Sequence, residues 1–227
     1  VDVSILVPAY DEERTMADVL DRLAELELDA EVIVIDDAST DETPNIVRSH
    51  PSAARLLRHE VNRGKGASIR TGLAVARGRV VVIQDADLEY DPKDLPRVVG
   101  PILEGSANVV YGNRFHRGLH PRMAWPNKVI NVLLARAVRV LYGQTLHDEA
   151  TCYKAFRADL LRRMNLECER FEFCPEVTAK ALRLGQPILE VPISYEPRDT
   201  ASGRKIRWTD GVAALWTLLR HRFTRLS

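Results

Sequence analysis

Short apolar runs alternate with stretches of helical periodicity through the first half of the chain. Val3–Val7 is a continuous apolar run closed by Pro8, and Met16, Val19, Leu20, Leu23 and Leu26 then recur at helical spacing within Asp11–Glu27. A second strand is expected over Glu31–Ile35. The following D-D-A-S-T-D-E-T-P (Asp36–Pro44) offers capping residues and a proline suited to the first turn of a helix reaching about Ser49. Leu56 and Leu57 begin a short third strand. N-R-G-K-G-A-S-I-R-T-G (Asn62–Gly72) opens a helix ending near Gly78, and the β-branched run Val80–Ile83 reads as a buried strand. This alternation predicts an α/β fold, a doubly wound and mostly parallel sheet with helices on both faces.

The second half is less regular. Asn108–Tyr111 reads as a strand leading into Gly112–Arg122, a loop with three Arg and two His. Pro126–Leu141 is a helix that is apolar around much of its girth; Ala150–Phe156 and Pro187–Tyr195 read as strands, and Phe173–Leu184 as a helix. Between Glu196 and Trp208 the chain is polar and basic, a surface loop carrying Arg198, Arg204, Lys205 and Arg207. The tail, Thr209–Leu226, places Val212, Leu215, Trp216, Leu219 and Phe223 on one side, with Arg220, His221, Arg222 and Arg225 near its end. Such a basic amphipathic helix either packs on its own domain or lies in a membrane interface.

Length and charge narrow the function. A chain of 227 residues suits one large domain, and 32 basic against 32 acidic residues leave no basic field to attract nucleic acid. Three cysteines without a C-x-x-C pair argue against a disulfide framework or a zinc site and imply a reducing, cytoplasmic setting. Neither a leader peptide nor a membrane span is expected, so membrane contact would be peripheral, through the tail helix.

In doubly wound sheets ligands bind beyond the carboxyl ends of the strands. The unusual residues of the first half all fall there: Pro8–Glu12 after the first strand, Asp36 and Asp37 after the second, and Asp85, Asp87 and Glu89 after the fourth. Asp85 and Asp87, two apart, point to one side of an extended chain and can share a divalent cation, with Glu89 a third ligand on the same alternation. Carboxylates this close repel unless a cation relieves them.

The ordered set P-A-Y-D-E (Pro8–Glu12), D-D-A-S-T-D-E-T (Asp36–Thr43), N-R-G-K-G-A (Asn62–Ala67), Q-D-A-D-L-E (Gln84–Glu89) and G-N-R-F (Gly112–Phe115) resembles the inverting, metal-dependent family 2 glycosyltransferases of the GT-A fold. Within them it is most similar to the dolichyl-phosphate mannose synthase and polyprenyl-phosphate sugar transferase group. The resemblance implies a catalytic domain over 1–208, with a nucleotide-sugar half to about 112 and an acceptor half over 113–208, followed by the helix of 209–227. It implies that Pro8, Tyr10, Glu12, Ile35 and Asp37 hold the nucleoside, and that Asp85, Asp87 and Glu89 surround Mg²⁺ or Mn²⁺ on the diphosphate. Asn62 and Lys65 line the same rim, Lys65 as a phosphate ligand or as a surface charge. Arg114, Arg122, Arg198 and Lys205 match positions that bind the acceptor phosphate and donor diphosphate, a task suited to the planar guanidinium.

The implied reaction moves a hexose from a nucleotide sugar, with a lean to GDP-mannose, onto a polyprenyl or dolichyl phosphate. Asp87 and Arg114 would act on the reacting groups. A phosphate acceptor needs no protein base; for a hydroxyl acceptor Asp148 is the candidate, with a cap or sugar contact as its other reading. Two alternatives stand beside this: a soluble family 2 enzyme with a small hydroxyl or phosphate acceptor, and a non-catalytic nucleotide-binding protein. Two departures bear on the choice. Glu89 stands where the group often has Gln, and H-D-E-A-T-C-Y-K (His147–Lys154) replaces the more usual D-x-T-S-G-[FY]-R.

Overall fold

The computed structural model describes residues 1–123, 125–197 and 208–224, so Arg198 and Lys205 lie outside the described residues. In chain order the elements are β1 (Val3–Ala9), α1 (Met16–Ala24), β2 (Ala30–Asp36), α2 (Thr43–Ser49), β3 (Arg55–Arg58), α3 (Lys65–Val75), β4 (Val80–Ile83), α4 (Leu95–Leu103), β5 (Val109–Asn113), α5 (Trp125–Tyr142), β6 (Lys154–Arg157), α6 (Ala158–Arg163), α7 (Phe173–Arg183), β7 (Leu189–Pro192) and α8 (Trp208–Phe223). The strands form one seven-stranded sheet in the order β3-β2-β1-β4-β6-β5-β7. All pairings are parallel except those of β6, which runs antiparallel between β4 and β5.

Strand alternation divides the core into two layers. Leu6, Ile33, Ile35, Val81, Ile83, Val109 and Phe156 pack on one face with Ile69 of α3, Leu134 of α5, Val177 of α7 and Leu218 of α8. Their neighbours Ile5, Val7, Val34, Val80, Val82 and Val110 pack on the other with Val19 and Leu20 of α1 and Val98 and Val99 of α4. A period of two on strands buried on both faces leaves nearly every strand position apolar. The edges are blunted: β3 begins and ends with Arg55 and Arg58, and β7 ends in Pro192.

The structure departs from expectation at three elements. α4 was not anticipated, because prolines at 96 and 101 interrupt its sequence; yet Leu95, Val98, Val99 and Ile102 make a one-sided buried stripe, and Pro96 occupies a first-turn position that needs no N–H. The strand expected from Ala150 pairs only from Lys154, so 147–153 is free to turn through the site. In α8 the face reverses: Ala214, Thr217, Leu218 and His221 are buried against α5 and α7, whereas Val212, Trp216, Leu219 and Phe223 are exposed. The neighbouring helices, not the helix's own amphipathicity, set which side is covered.

The start of α3 sits against the 167–170 segment. Gly64 has φ +94, and a Cβ on Gly66 would lie 2.4 Å from the Cys168 carbonyl oxygen. Gly66→Ala is therefore expected to destabilise by about 1–3 kcal/mol in thermal unfolding, although alanine is the better helix former. An unchanged or raised midpoint would show that this segment yields.

Candidate active site

β1 and β4 are neighbours at the point where strand order reverses, and the loops leaving them open the crevice. The loops after β1 and β2 are laced by side chains capping backbone N–H groups. Asp11 N donates to Ser39 Oγ at 2.9 Å, Glu12 N to Thr43 Oγ1 at 2.8 Å, and Thr40 N to Asp11 Oδ1 at 2.8 Å. Thr15 Oγ1 donates to the Ala86 carbonyl at 2.8 Å, joining this rim to the acidic loop after β4. Tyr10 is exposed and Pro8 half-buried at the crevice, while Glu12 is buried with its backbone in this lacing. Negative charge around Tyr10, chiefly from Asp11, raises its pKa.

Two of the residues expected on the nucleoside are buried and engaged within the fold. Ile35 is fully buried, in the same apolar layer as Leu6 and Ile69, because its parity along β2 points it into the core. Asp37 accepts Arg63 N–H at 2.9 Å and Gly64 N–H at 2.6 Å, with His59 Nδ1 2.7 Å from Oδ1. Its carboxylate is turned to its own chain and shapes the Asn62–Gly64 turn that starts α3.

That turn delivers Lys65. Its ammonium contacts both Asp85 and Cys152, and its side chain is 12% exposed, so it is no surface charge. Burial works to lower its pKa, but the Asp85 carboxylate outweighs this and raises it. The strand ends at Ile83, and the chain bends so that Glu89 N–H donates to Asp87 Oδ1 at 3.2 Å. The Glu89 backbone thus follows a turn rather than continuing the strand alternation expected from the sequence.

Arg114, just after β5, is held by Asp148. Nε donates to Oδ2 at 2.8 Å, Nη2 to Oδ1 at 2.7 Å, and the Arg114 backbone N–H to Oδ2 at 2.9 Å. Asp148 is fully buried and Arg114 only 8% exposed. The guanidinium carbon lies 5.0 Å from the ring centres of Phe115 and Tyr195 and 5.9 Å from that of Tyr90. Burial would lower the Arg114 pKa, and the Asp148 charge more than reverses it. Glu190 of β7 accepts the Asp148 backbone N–H at 2.9 Å and fixes the loop from below. Arg122 instead lies at the exposed rim, paired with Glu196.

Tyr90 joins the two halves. Its hydroxyl accepts the Cys152 N–H at 3.2 Å, so one connected track runs Asp85, Lys65, Cys152, Tyr90, Arg114, Asp148. Burial, followed by the charge of Glu89, pushes the pKa of Tyr195 up to about 12. Sequence reasoning missed Tyr90, Tyr195, Cys152 and Glu190; only Glu190, a lone acid in an apolar strand, carried a legible signal. Beside the clamp, Phe115, Leu119, Asn131, Val132 and Arg136 line a groove of about 360 Å³.

The model of the family described as Glycosyl transferase family 2 matches residues 4–164. The chain belongs to that family. As a family 2 glycosyltransferase it is 29% identical to the undecaprenyl-phosphate mannosyltransferase of Micrococcus luteus, over 97% of this chain and 98% of that one. It is also 29% identical to the dodecaprenyl-phosphate galacturonate synthase of Rhizobium johnstonii, covering 88% of this chain but spanning only 60% of that relative's length. Glucosyl-3-phosphoglycerate synthase from Mycobacterium tuberculosis, solved with UDP, superposes with a TM-score of 0.77 at 24% identity, over 97% of this chain and 80% of that one. This establishes the GT-A fold. The same enzyme has been solved with UDP and Mn²⁺ or Mg²⁺.

Proposed function

We propose that this glycosyltransferase moves a hexose, with GDP-mannose as the favoured donor, onto a polyprenyl phosphate with inversion at the anomeric carbon. The observation that carries the reading is the track from Asp85 to Arg114, which sets an acidic, cation-seeking end beside a desolvated guanidinium. Asp85, Asp87 and Glu89 would supply the oxygen donors suited to a hard cation, and the Lys65 ammonium drawn onto Asp85 would stand in for that charge. Mg²⁺ or Mn²⁺ held there would supply neutralisation of the departing nucleoside diphosphate.

The chain's own residues do the rest. Lys65 faces the diphosphate, and Pro8, Tyr10 and Glu12 line the nucleoside side. Asp148 engages Nε and Nη2 of Arg114 and holds the guanidinium in the orientation from which its charge would meet the acceptor phosphate. One phosphate oxygen attacks C1 from the face opposite the leaving group; the C1–O bond to the diphosphate breaks, and nucleoside diphosphate departs. Asp148 acts here as a positioning residue rather than a base. Arg122 would add rim charge for the phosphates.

The lipid part of the reading is supported by apolar surface at the acceptor end. The groove beside Phe115 adjoins a second, lined by Leu119, Trp125, Val129, Val132 and Leu133. Trp125, Val140, Trp216 and Phe223 are each more than half exposed on α5 and α8. Among the described residues no helix is long and apolar enough to cross a membrane; the exposed apolar face of α8 would be the point of peripheral contact.

The test is nucleoside-diphosphate release from GDP-mannose and UDP-glucose in parallel, with Mg²⁺ or Mn²⁺, with and without a short-chain polyprenyl phosphate. Release that requires the lipid phosphate supports the proposal and names the donor. Release indifferent to it moves the assignment to a small hydroxyl or phosphate acceptor. With a phosphate acceptor whose second pKa is about 6, the rate is expected to rise with pH from 5 to 7 as the dianion forms, and then to level. A further rise above pH 7 would signal a base that this mechanism does not contain.

A further inference from the structure

Away from this site, Cys168, Glu176 of α7 and His221 of α8 bring a thiol, a carboxylate and an imidazole together, with their three ligand atoms all within 4.8 Å of one another. We propose that these three side chains bind a zinc ion that staples α8 to α7 and to the 167–170 segment. The inference is independent of the donor and acceptor assigned above.

The donor set argues for zinc. Thiolate and imidazole are soft and borderline ligands, unlike the all-oxygen set at Asp85, Asp87 and Glu89, so the two places select different metals. Zn–S of about 2.3 Å and Zn–N of about 2.0 Å in a tetrahedron put ligand atoms about 3.5 Å apart. The observed spacing reaches this by a closure of little more than about 1 Å, with water as the fourth ligand.

Glu176 is already oriented. Its carboxylate accepts Glu167 N–H at 2.8 Å, Cys168 N–H at 2.9 Å and the Lys180 ammonium at 2.8 Å. Lys180 in turn donates to the Asn165 carbonyl at 2.7 Å. Outer contacts of this kind fix a metal-ligating carboxylate. The Lys180 charge offsets that of Glu176 and leaves the thiolate to balance the cation. His221 is presented by a helix end that is itself tied down, since Arg183 Nη1 donates to the His221 and Thr224 carbonyls at 2.6 Å.

The consequence reaches the donor site. The Cys168 and Glu169 carbonyls pack on Gly66 and Gly64, and Ala67 N–H donates to the Glu169 carbonyl at 2.9 Å. Zinc at Cys168 would therefore steady the first turn of α3, which carries Lys65, and at the same time fix α8 with its exposed apolar face.

The experiment is titration of the metal-stripped full chain with Co²⁺, followed by Zn²⁺. One equivalent of Co²⁺ is expected to give the intense visible bands of a tetrahedral ion and a near-ultraviolet thiolate-to-cobalt band, both removed by Zn²⁺. Cys168→Ser and, separately, His221→Gln should abolish them, while Cys152→Ser and Cys174→Ser, which alter the two thiols nearer Lys65 and Asp85, should not. The thermal midpoint should rise with Zn²⁺ in the parent and stay unmoved in Cys168→Ser. Weak octahedral bands alone, a thiolate band that survives Cys168→Ser, or one lost only in Cys152→Ser would overturn the proposal.

Discussion

Asp87→Ala is expected to lower turnover by roughly 10³-fold, the upper end of what removing one preorganised electrostatic partner costs. In the proposed mechanism the carboxylate would hold the cation that neutralises charge developing as the diphosphate leaves, so its loss falls on kcat. The fold should persist. The hydrogen bond to Glu89 N–H is a partly exposed contact whose removal costs about 1 kcal/mol. Asp85 is the poorer residue to probe, because Lys65 packs on it with little exposure. Asp85→Ala would strand a buried ammonium and mix several kcal/mol of instability with any loss of rate. Nucleoside-diphosphate release at saturating donor, beside the thermal midpoint of the same variant, separates the two effects. A variant that releases diphosphate at the parental rate would remove Asp87 from the reacting site and with it the metal assignment.

The architecture was legible where each strand's own residues decide it. Runs such as Val80–Ile83 are apolar because both faces are covered, and each ends abruptly in the polar residues of the rim. Side-chain direction at the site was less legible, because packing sets it. Ile35 follows the parity of β2 into the core, and Asp37 is captured by the N–H groups of Arg63 and Gly64. The reversed face of α8 has the same origin: a helix with apolar residues on two sides buries the one that fits α5 and α7. The pairing of Arg114 with Asp148 spans 34 residues and depends on β6 entering the sheet antiparallel, a register that no local pattern announces.

That pair supports the second large effect. Asp148→Asn is expected to destabilise the chain by about 3–5 kcal/mol, since a buried guanidinium loses its charge partner and meets an amide N–H₂ group instead. At about 2–4 °C per kcal/mol for a domain of this size, the thermal midpoint should fall by about 6–20 °C. Below that midpoint, Asp148 as a positioning residue and Asp148 as a base give different kinetics. A base would leave acceptor affinity untouched and change the pH profile. Loss of a positioning residue raises KM for the phosphate acceptor, because the Arg114 guanidinium is no longer held in its orientation, and leaves the profile governed by the acceptor's own ionisation. Arg114→Lys, which cannot make the two-pronged contact, should raise the same KM. The double variant should lose less than the sum of the single losses, with a coupling of about 0.5–3 kcal/mol. Strict additivity would mean that the two residues act separately, and Asp148 would then have to be reconsidered as a group that meets the acceptor itself.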